Sequence, residues 1–398
     1  MKIRFFENNN SVEWFLFFLS PLVSLPFLIW GVMKGKHSNL VIISLVMAMI
    51  GFIFPAFADS YKHTQQYLIW VDHGKDGILI NKGQIDFVFY SLSNIFAKNH
   101  IAFEYIKAMF VFIAYQASFF LYKKIIFMKG LEWDSYDSML LFWIFFLSVP
   151  FIWVVTGLRM ATACYIAMVG WFYFYYRSYG LGTIFYIVAL SVHFGSLMFI
   201  PIFLAQFLPN IKMSSKSFTI ISLAILCAGG VLLSILPSSL VASVNMEKNV
   251  DVYMSQSQKL FGDSQSINGL IAEWLERIML VYVFCRIAFA KMIIDSKDML
   301  VIAVCFFSWF ITHPFIILFQ KISLFIIPII LFLYIKNVGD VRILKHIALC
   351  CLVSFFAYSY GYRKPISTIP FYKLMVSPLY VFWNVDTKTA LREVVYPA

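Results

Sequence analysis

The sequence predicts an all-α, polytopic integral membrane protein with about 10–12 transmembrane helices, and two observations carry that prediction. Hydrophobic residues make up 61% of the 398-residue chain and charged residues only 13%, about half the charged share of an ordinary soluble domain. Apolar stretches close to or above the roughly 18 residues needed to cross a bilayer recur from end to end, too many for a signal peptide or a single anchor. They fall near residues 13–33, 39–58, 101–122, 138–156, 158–176, 217–237, 270–291, 298–312, 315–335 and 343–361. No Gly/Ser linker, low-complexity tract or fixed-period repeat interrupts them, which predicts one transmembrane domain over residues 1–398.

Basic residues orient the segments. Lys34 and Lys36, Lys123 with Lys124 and Lys129, Arg177, Lys212 and Lys216, Arg286 with Lys291 and Lys297, and Lys336 with Arg342 and Lys345 all lie in connections, and the positive-inside rule makes those connections cytoplasmic. All of them can be cytoplasmic only if the stretch from Gly180 to Leu208 leaves and returns on the same side. That stretch therefore reads as a broken, re-entrant hairpin with arms at 181–192 and 194–208 and a turn at Val192-His193-Phe194-Gly195. Irregular backbone at membrane depth requires protein or water around it, so a helix break carrying an imidazole points to a cavity. The large connections near 59–100 and 238–269 then face the opposite side, where the chemistry is expected. The tail from Tyr362, with Arg363, Lys364, Lys373, Lys388 and Arg392, fits this orientation only if residues 366–383 cross once more.

A net charge of +11 raises nucleic acid as a partner, but the basic residues stand singly or in pairs between hydrophobic runs and form no strip, which argues against it. Topology and an anionic lipid substrate explain them better. The six cysteines, Cys164, Cys227, Cys285, Cys305, Cys350 and Cys351, lie in apolar stretches without metal-ligand spacing and read as small core residues. There is no P-loop, dinucleotide fingerprint, GxSxG elbow or HExxH helix, and no long row of intramembrane carboxylates or voltage-sensor arginines.

Ionisable groups are costly in a membrane protein, so those at helix ends and breaks are the functional candidates. Arg159, in Thr156-Gly157-Leu158-Arg159 between two apolar helices, has a donor fork suited to an anion; an interfacial, snorkelling arginine is the plainer alternative. His193 sits in the hairpin turn with Ser191 and Ser196 as candidate partners, and imidazole suits proton transfer near neutrality. His313-Pro314 marks another turn that proline alone explains. Lys321, one turn into its helix, has no acidic neighbour in sequence, which points to a phosphate or a distant carboxylate. Asp59 stands at a membrane boundary, followed by Tyr61 and Tyr67, where it would pair with a cation or touch a sugar. Asp72 and Asp76 read as solvated, and Asp86 is a second carboxylate available as a base or sugar contact. Arg277, after Glu273 and Glu276, reads foremost as a member of helix-surface ion pairs and is kept as a further substrate contact.

Two stretches share a pattern with a known family. Thr156-Gly157-Leu158-Arg159-Met160-Ala161-Thr162-Ala163 opens an aromatic helix ending at Arg177, and Val188-Ala189-Leu190-Ser191-Val192-His193-Phe194-Gly195-Ser196-Leu197 follows. This central third resembles the EpsG-like branch of the O-antigen polymerases (Wzy), in which an arginine motif opens one helix and a histidine followed by a small residue lies downstream. Fainter likenesses run from Asp59 to Tyr67 and through Gln320-Lys321-Ile322-Ser323-Leu324-Phe325. Met160 stands where the family usually has Gln, and Lys321 and Phe325 where it has Arg and Tyr.

The resemblance implies an enzyme of the bacterial inner membrane with a GT-C-like helical fold and an active site facing the periplasm. Such an enzyme joins oligosaccharide repeat units carried on undecaprenyl pyrophosphate, moving the growing chain to the non-reducing end of a new unit. A chain-length regulator is an implied partner, alongside membrane lipid. Because pyrophosphate is a good leaving group, the reaction asks for cations and a base, with no metal and no cofactor. On that basis Arg159 and Lys321 are expected to hold the pyrophosphate, while His193 or a carboxylate such as Asp59 activates the acceptor; Tyr61, Asp86 and Arg277 are further substrate contacts. The alternatives are an O-antigen ligase, which shares the donor, and a flippase or transporter of the lipid-linked sugar, which broken helices also suit.

Overall fold

The computed structural model describes residues 11–56, 59–73, 86–208, 214–235, 274–275, 277–289, 294–312, 316–338, 340–361 and 366–385. The connection at 238–269, the turn at His313-Pro314, Asp76 and the basic residues Lys212, Lys291, Arg363, Lys364, Lys388 and Arg392 lie outside them. The described residues are helical, without strands. Among the described residues four helical stretches are long and apolar enough to cross a membrane: Glu104–Lys129, Tyr136–Thr156, Gln320–Asn337 and Val341–Tyr360. The other apolar segments form shorter helices, and polar or proline-bearing joints set their lengths. The segment at 13–33, for example, is two helices, α1 (Ser11–Leu19) and α2 (Pro21–Met33), parted at Ser20. Ser20 caps α2 by accepting from the Val23 N–H and donates its own hydroxyl to the Leu374 carbonyl.

The chain forms two compact units. The first comprises Met1–Ser196 and Tyr362–Ala398. Its centre is α3 (Asn39–Ile53) packed along α6 (Glu104–Lys129), flanked by α7 (Tyr136–Leu147), α8 (Phe151–Thr156) and α9 (Leu158–Tyr175). Lipid tails are as apolar as the helices, so burial alone does not hold such helices together, and small residues with interhelical hydrogen bonds add the specificity. Gly51 of α3 meets Val111 of α6 so closely that an added Cβ would stand 2.7 Å from its Cγ2. Gln116 of α6 donates to Ser44 Oγ at 2.8 Å, Ser118 to the Phe145 carbonyl at 2.7 Å, and the Tyr122 and Ser138 hydroxyls pair at 2.9 Å.

The connection at 59–100, expected as an extramembrane stretch, carries two helices among its described residues. Described are α4 (Asp59–His73) and α5 (Phe87–Lys98), which bury Tyr67, Phe89 and Ala97 against Phe103, Ile106, Phe110 and Leu158. The Tyr67 hydroxyl donates to the Ile101 carbonyl, and buried Lys107 donates to the Phe54 carbonyl at 2.6 Å, pinning the end of α3. These contacts fix where α4 begins, and hence where Asp59 stands.

The second antiparallel pair sets the site. α9 runs away from Arg159, turns through Arg177 in a left-handed conformation (φ 61°), and α10 (Tyr179–Val192) returns along it to His193. The pair is close because two glycines face each other: a Cβ on Gly170 would stand 3.0 Å from the Gly182 carbonyl oxygen and 3.1 Å from Phe185 Cβ, and one on Gly182 would collide with the Phe174 ring. Ile184 and Ile187 on the outer side of α10 are exposed, as lipid contact requires.

The second unit is Leu197–Gly361. It holds the 3-10 segment Phe194–Phe199 from Leu197 onward, α11 (Ile200–Leu204), α12 (Ser215–Ile235), α13 (Ile278–Phe289), α14 (Ser296–Thr312), α15 (Ile316–Asn337) and α16 (Val341–Gly361). Phe199 stacks on Phe325 with centroids 3.9 Å apart, and Trp309 Nε1 donates to Ser323 Oγ at 2.9 Å. Buried Asp298 accepts from Lys336 at 2.8 Å and Asn337 at 2.7 Å, closing the far ends of α14 and α15. Not all the cysteines are core residues: Cys164, Cys305 and Cys351 are buried and Cys350 partly so, but Cys227 and Cys285 point outward from their helices. All six are free thiols.

The glycine contact between α9 and α10 gives a direct test. Gly170→Leu is expected to destabilise the protein by about 1–3 kcal/mol through overpacking, whereas Gly180→Ala, whose Cβ meets nothing within 4 Å, should be neutral or slightly stabilising. Thermal unfolding of the two variants in detergent measures the difference.

Candidate functional site

Three backbone devices bring charged side chains together at one end of the first unit. α8 ends at Gly157, whose N–H donates to the Trp153 carbonyl at 2.9 Å, and α9 starts at once, so Arg159 occupies the first turn of a helix. A cation there opposes the positive end of the helix dipole, by about 0.3–1 kcal/mol, and calls for a carboxylate partner. α10 ends at His193, which caps it in extended conformation (φ −154°, ψ 115°) before the chain turns into the 3-10 segment. The break thus falls on the residue the sequence indicated. The third device is Asp86, which precedes α5 yet makes no cap bond to it, leaving the carboxylate directed elsewhere.

That carboxylate is the hub. Oδ2 accepts from Arg159 Nη1 at 2.7 Å and from His193 Nδ1 at 2.9 Å, and Oδ1 accepts from the Phe194 N–H at 2.8 Å. Arg159 Nη1 also donates to the Tyr90 hydroxyl at 3.0 Å, and the guanidinium lies over the Phe89 and Tyr90 rings at 5.5 and 5.6 Å. Asp59 Oδ2 stands 3.8 Å from Arg159 Nη2 and 3.3 Å from His63 Nε2. The two carboxylates differ in exposure: the Asp86 side chain is 9% accessible, that of Asp59 45%.

Burial pushes the Asp86 carboxyl up, but the hydrogen bond and charge of His193, the Phe194 N–H and the Arg159 guanidinium together outweigh it and hold the group below the usual carboxylate range. Burial likewise raises the Tyr90 hydroxyl, so it serves Arg159 as a neutral acceptor. An ionised carboxylate only accepts hydrogen bonds, so Nδ1 of His193 carries the proton and a neutral ring keeps its lone pair on Nε2. Asp86 therefore orients the imidazole as a base and, being itself a weak one, does not compete for the role. Nε2 lies over Gly195, where a Cβ would stand 2.9 Å from Nε2 and 3.1 Å from Cδ2. Glycine at this position leaves the ring where Asp86 holds it.

Of the residues singled out from sequence, Arg159, His193, Asp86 and Asp59 converge, and Tyr61 lies half-buried on the same α4 helix. Lys321, on α15, and Arg277, just before α13, belong to the second unit. Arg277 is not on a helix surface: it is buried to 1% exposure, and its backbone N–H donates to the Trp274 carbonyl at 3.0 Å. Ser191 and Ser196 are not the partners of the His193 ring: the Ser191 hydroxyl turns back to the Val188 carbonyl of its own helix, as serines near a helix end do, and the Ser196 hydroxyl reaches from the 3-10 segment to the Ala189 carbonyl of α10. His63 and Tyr90 were missed. The Asp59–His63 spacing of one turn was the available signal for the first, but nothing in sequence joins Tyr90 to an arginine 69 residues away. Among the described residues no group of three or more His, Cys, Asp or Glu side chains could hold a metal ion.

Two measurements follow from this geometry. Gly195→Ala is expected to displace the imidazole and reduce activity about tenfold or more, with little loss of thermal stability, because the ring and not the backbone must yield. The depressed Asp86 carboxyl contributes stability that is fully present above the ordinary aspartate value of about 3.9 and is lost only as pH falls through its lower folded value. Asp86→Asn should therefore flatten the acid limb of a melting-temperature-against-pH curve in detergent. No family model, curated protein or solved structure matches the chain, so the reading of its function rests on this site.

Proposed function

We propose that this protein is a glycosyltransferase of the O-antigen polymerase kind, joining oligosaccharide repeat units carried on undecaprenyl pyrophosphate. In this reading it is a multi-pass protein of the bacterial inner membrane, with roughly 10–12 crossings, a GT-C-like arrangement and its site open to the periplasm. The single observation that carries the proposal is Asp86 gripping Arg159 and His193 at once, at 2.7 and 2.9 Å. That arrangement provides an oriented base beside a cation, which is what transfer from a pyrophosphate to a hydroxyl needs.

In the proposed step His193 Nε2 takes the proton of an acceptor sugar hydroxyl as its oxygen attacks the anomeric carbon of the donor chain. The anomeric C–O bond breaks, and its electron pair leaves with undecaprenyl pyrophosphate. Arg159 stabilises the negative charge that develops, and its contact with Asp86 preorganises it for that task. A base of this kind is worth roughly 10²–10⁴ in rate. The partly exposed rings of Trp70 and Tyr90 beside the cluster suit the apolar faces of a sugar. A chain-length regulator is the protein partner this role implies.

Purified protein in liposomes, given synthetic undecaprenyl-pyrophosphate repeat units, is expected to produce a ladder of products on a gel. Arg159→Ala and His193→Ala should each lower the yield by about a hundredfold or more. Lipid-linked sugar moved across the bilayer without a new glycosidic bond would replace this reading with a transporter. Transfer to lipid A core without self-polymerisation would replace it with a ligase.

A further inference from the structure

The mechanism leaves one imidazole of the cluster without a task. His63 follows Asp59 by one turn of α4, and its Nε2 lies 3.3 Å from Asp59 Oδ2. The same Oδ2 is 3.8 Å from Arg159 Nη2, so the described residues form a continuous chain His63, Asp59, Arg159, Asp86, His193, with an imidazole at each end and the guanidinium in the middle. The His63 side chain is only 10% exposed and packs edge-on against Phe89, with centroids 4.8 Å apart, and against Tyr90 at 6.4 Å, the two rings that carry Arg159. A nearly buried, ring-locked donor facing a half-exposed carboxylate is a fixed support under a group that meets solvent.

We propose that His63 is a positioning residue that holds Asp59 beside Arg159, so that the exposed carboxylate binds hydroxyls of the acceptor sugar. This rests on the reading of the cluster as a glycosyl-transfer site and adds a division of labour to it. Asp86, buried and held by three donors, orients the base. Asp59, exposed and held from one side by His63, contacts substrate. Because the carboxylate only accepts, the contribution of His63 is an N–H at the Nε2 position. Glutamine places its amide nitrogen at about that position, whereas phenylalanine keeps the ring packing and has no donor. The two substitutions therefore separate the hydrogen bond from the packing.

The experiment is the liposome assay with kcat and KM for the lipid-linked repeat unit resolved for His63→Gln, His63→Phe, Asp59→Asn and the double variant Asp59→Asn with His63→Phe. Expected are a KM raised about tenfold or more in His63→Phe with kcat within about twofold, near-wild-type values in His63→Gln, and no further loss in the double variant over Asp59→Asn alone. A ring-packing role would reverse the order, sparing Phe and impairing Gln, and would overturn the proposal. Equal loss in both variants would overturn it too, since a donor would then not suffice. If wild-type protein makes no ladder, the polymerase reading fails by itself. The His63 assignment is then judged by a double-mutant cycle of thermal unfolding for His63→Phe and Asp59→Asn, where additivity overturns it and coupling upholds it.

Discussion

The site depends on one carboxylate shared by a guanidinium and an imidazole. Arg159 and His193 stand at neighbouring ends of an antiparallel pair, the first at the start of α9 and the second at the end of α10. Brought together without an anion, two groups able to carry positive charge would repel, and Arg159 would also oppose its own helix dipole. Asp86 resolves both problems by accepting from each, and its third bond, from the Phe194 N–H, ties the helix break to the same oxygen pair. Removing any one of the three partners would leave a poorly solvated charge or an unmet donor.

The rest of the first unit can be understood as what keeps that carboxylate in place. Gly170 and Gly182 let α9 and α10 approach until their ends share one partner, and the cluster of Tyr67, Phe89, Phe103, Ile106, Phe110 and Leu158 docks α4 and α5 onto α6 and the start of α9. Aromatic residues serve twice here. Phe89 is core on one side and, with Tyr90, a surface for the guanidinium on the other. The helices α4 and α5 are thus a built part of the site, and Tyr67 and Phe89 tie them to α6 and α9 by packing against Phe103, Ile106, Phe110 and Leu158.

Charge is used differently in the second unit. Asp298 is buried and accepts from Lys336 and Asn337, a closed arrangement that joins two helix ends. A buried ion pair of this kind contributes more to register than to net stability, because the desolvation cost offsets most of the Coulombic gain. The exposed hydrophobic side chains of α16, Leu349, Leu352 and Phe356, give that helix an outward apolar face, as contact with lipid tails requires.

Much was legible in the sequence because membrane helices are specified locally. Apolar runs mark the helices, polar or proline-bearing joints end them, and the break at His193 followed from the number of residues between basic connections, so helix class, the α9 and α10 boundaries and the interest of Arg159 and His193 required no partner residue. What joins them did not follow. Asp86 lies 73 residues from Arg159 and 107 from His193, in a stretch whose polar composition reads as a loop, and the nearest serines offered themselves as partners instead. Only tertiary structure decided that α4 and α5 fold into a helical cap, that Asp86 is buried while Asp59 is exposed, and that His63 and Tyr90 belong to the cluster. The physical reason is that hydrophobic length and helix capping act over a few turns of one chain segment, whereas the pairing of a buried charge is settled by whichever partner packing places within about 3 Å of it.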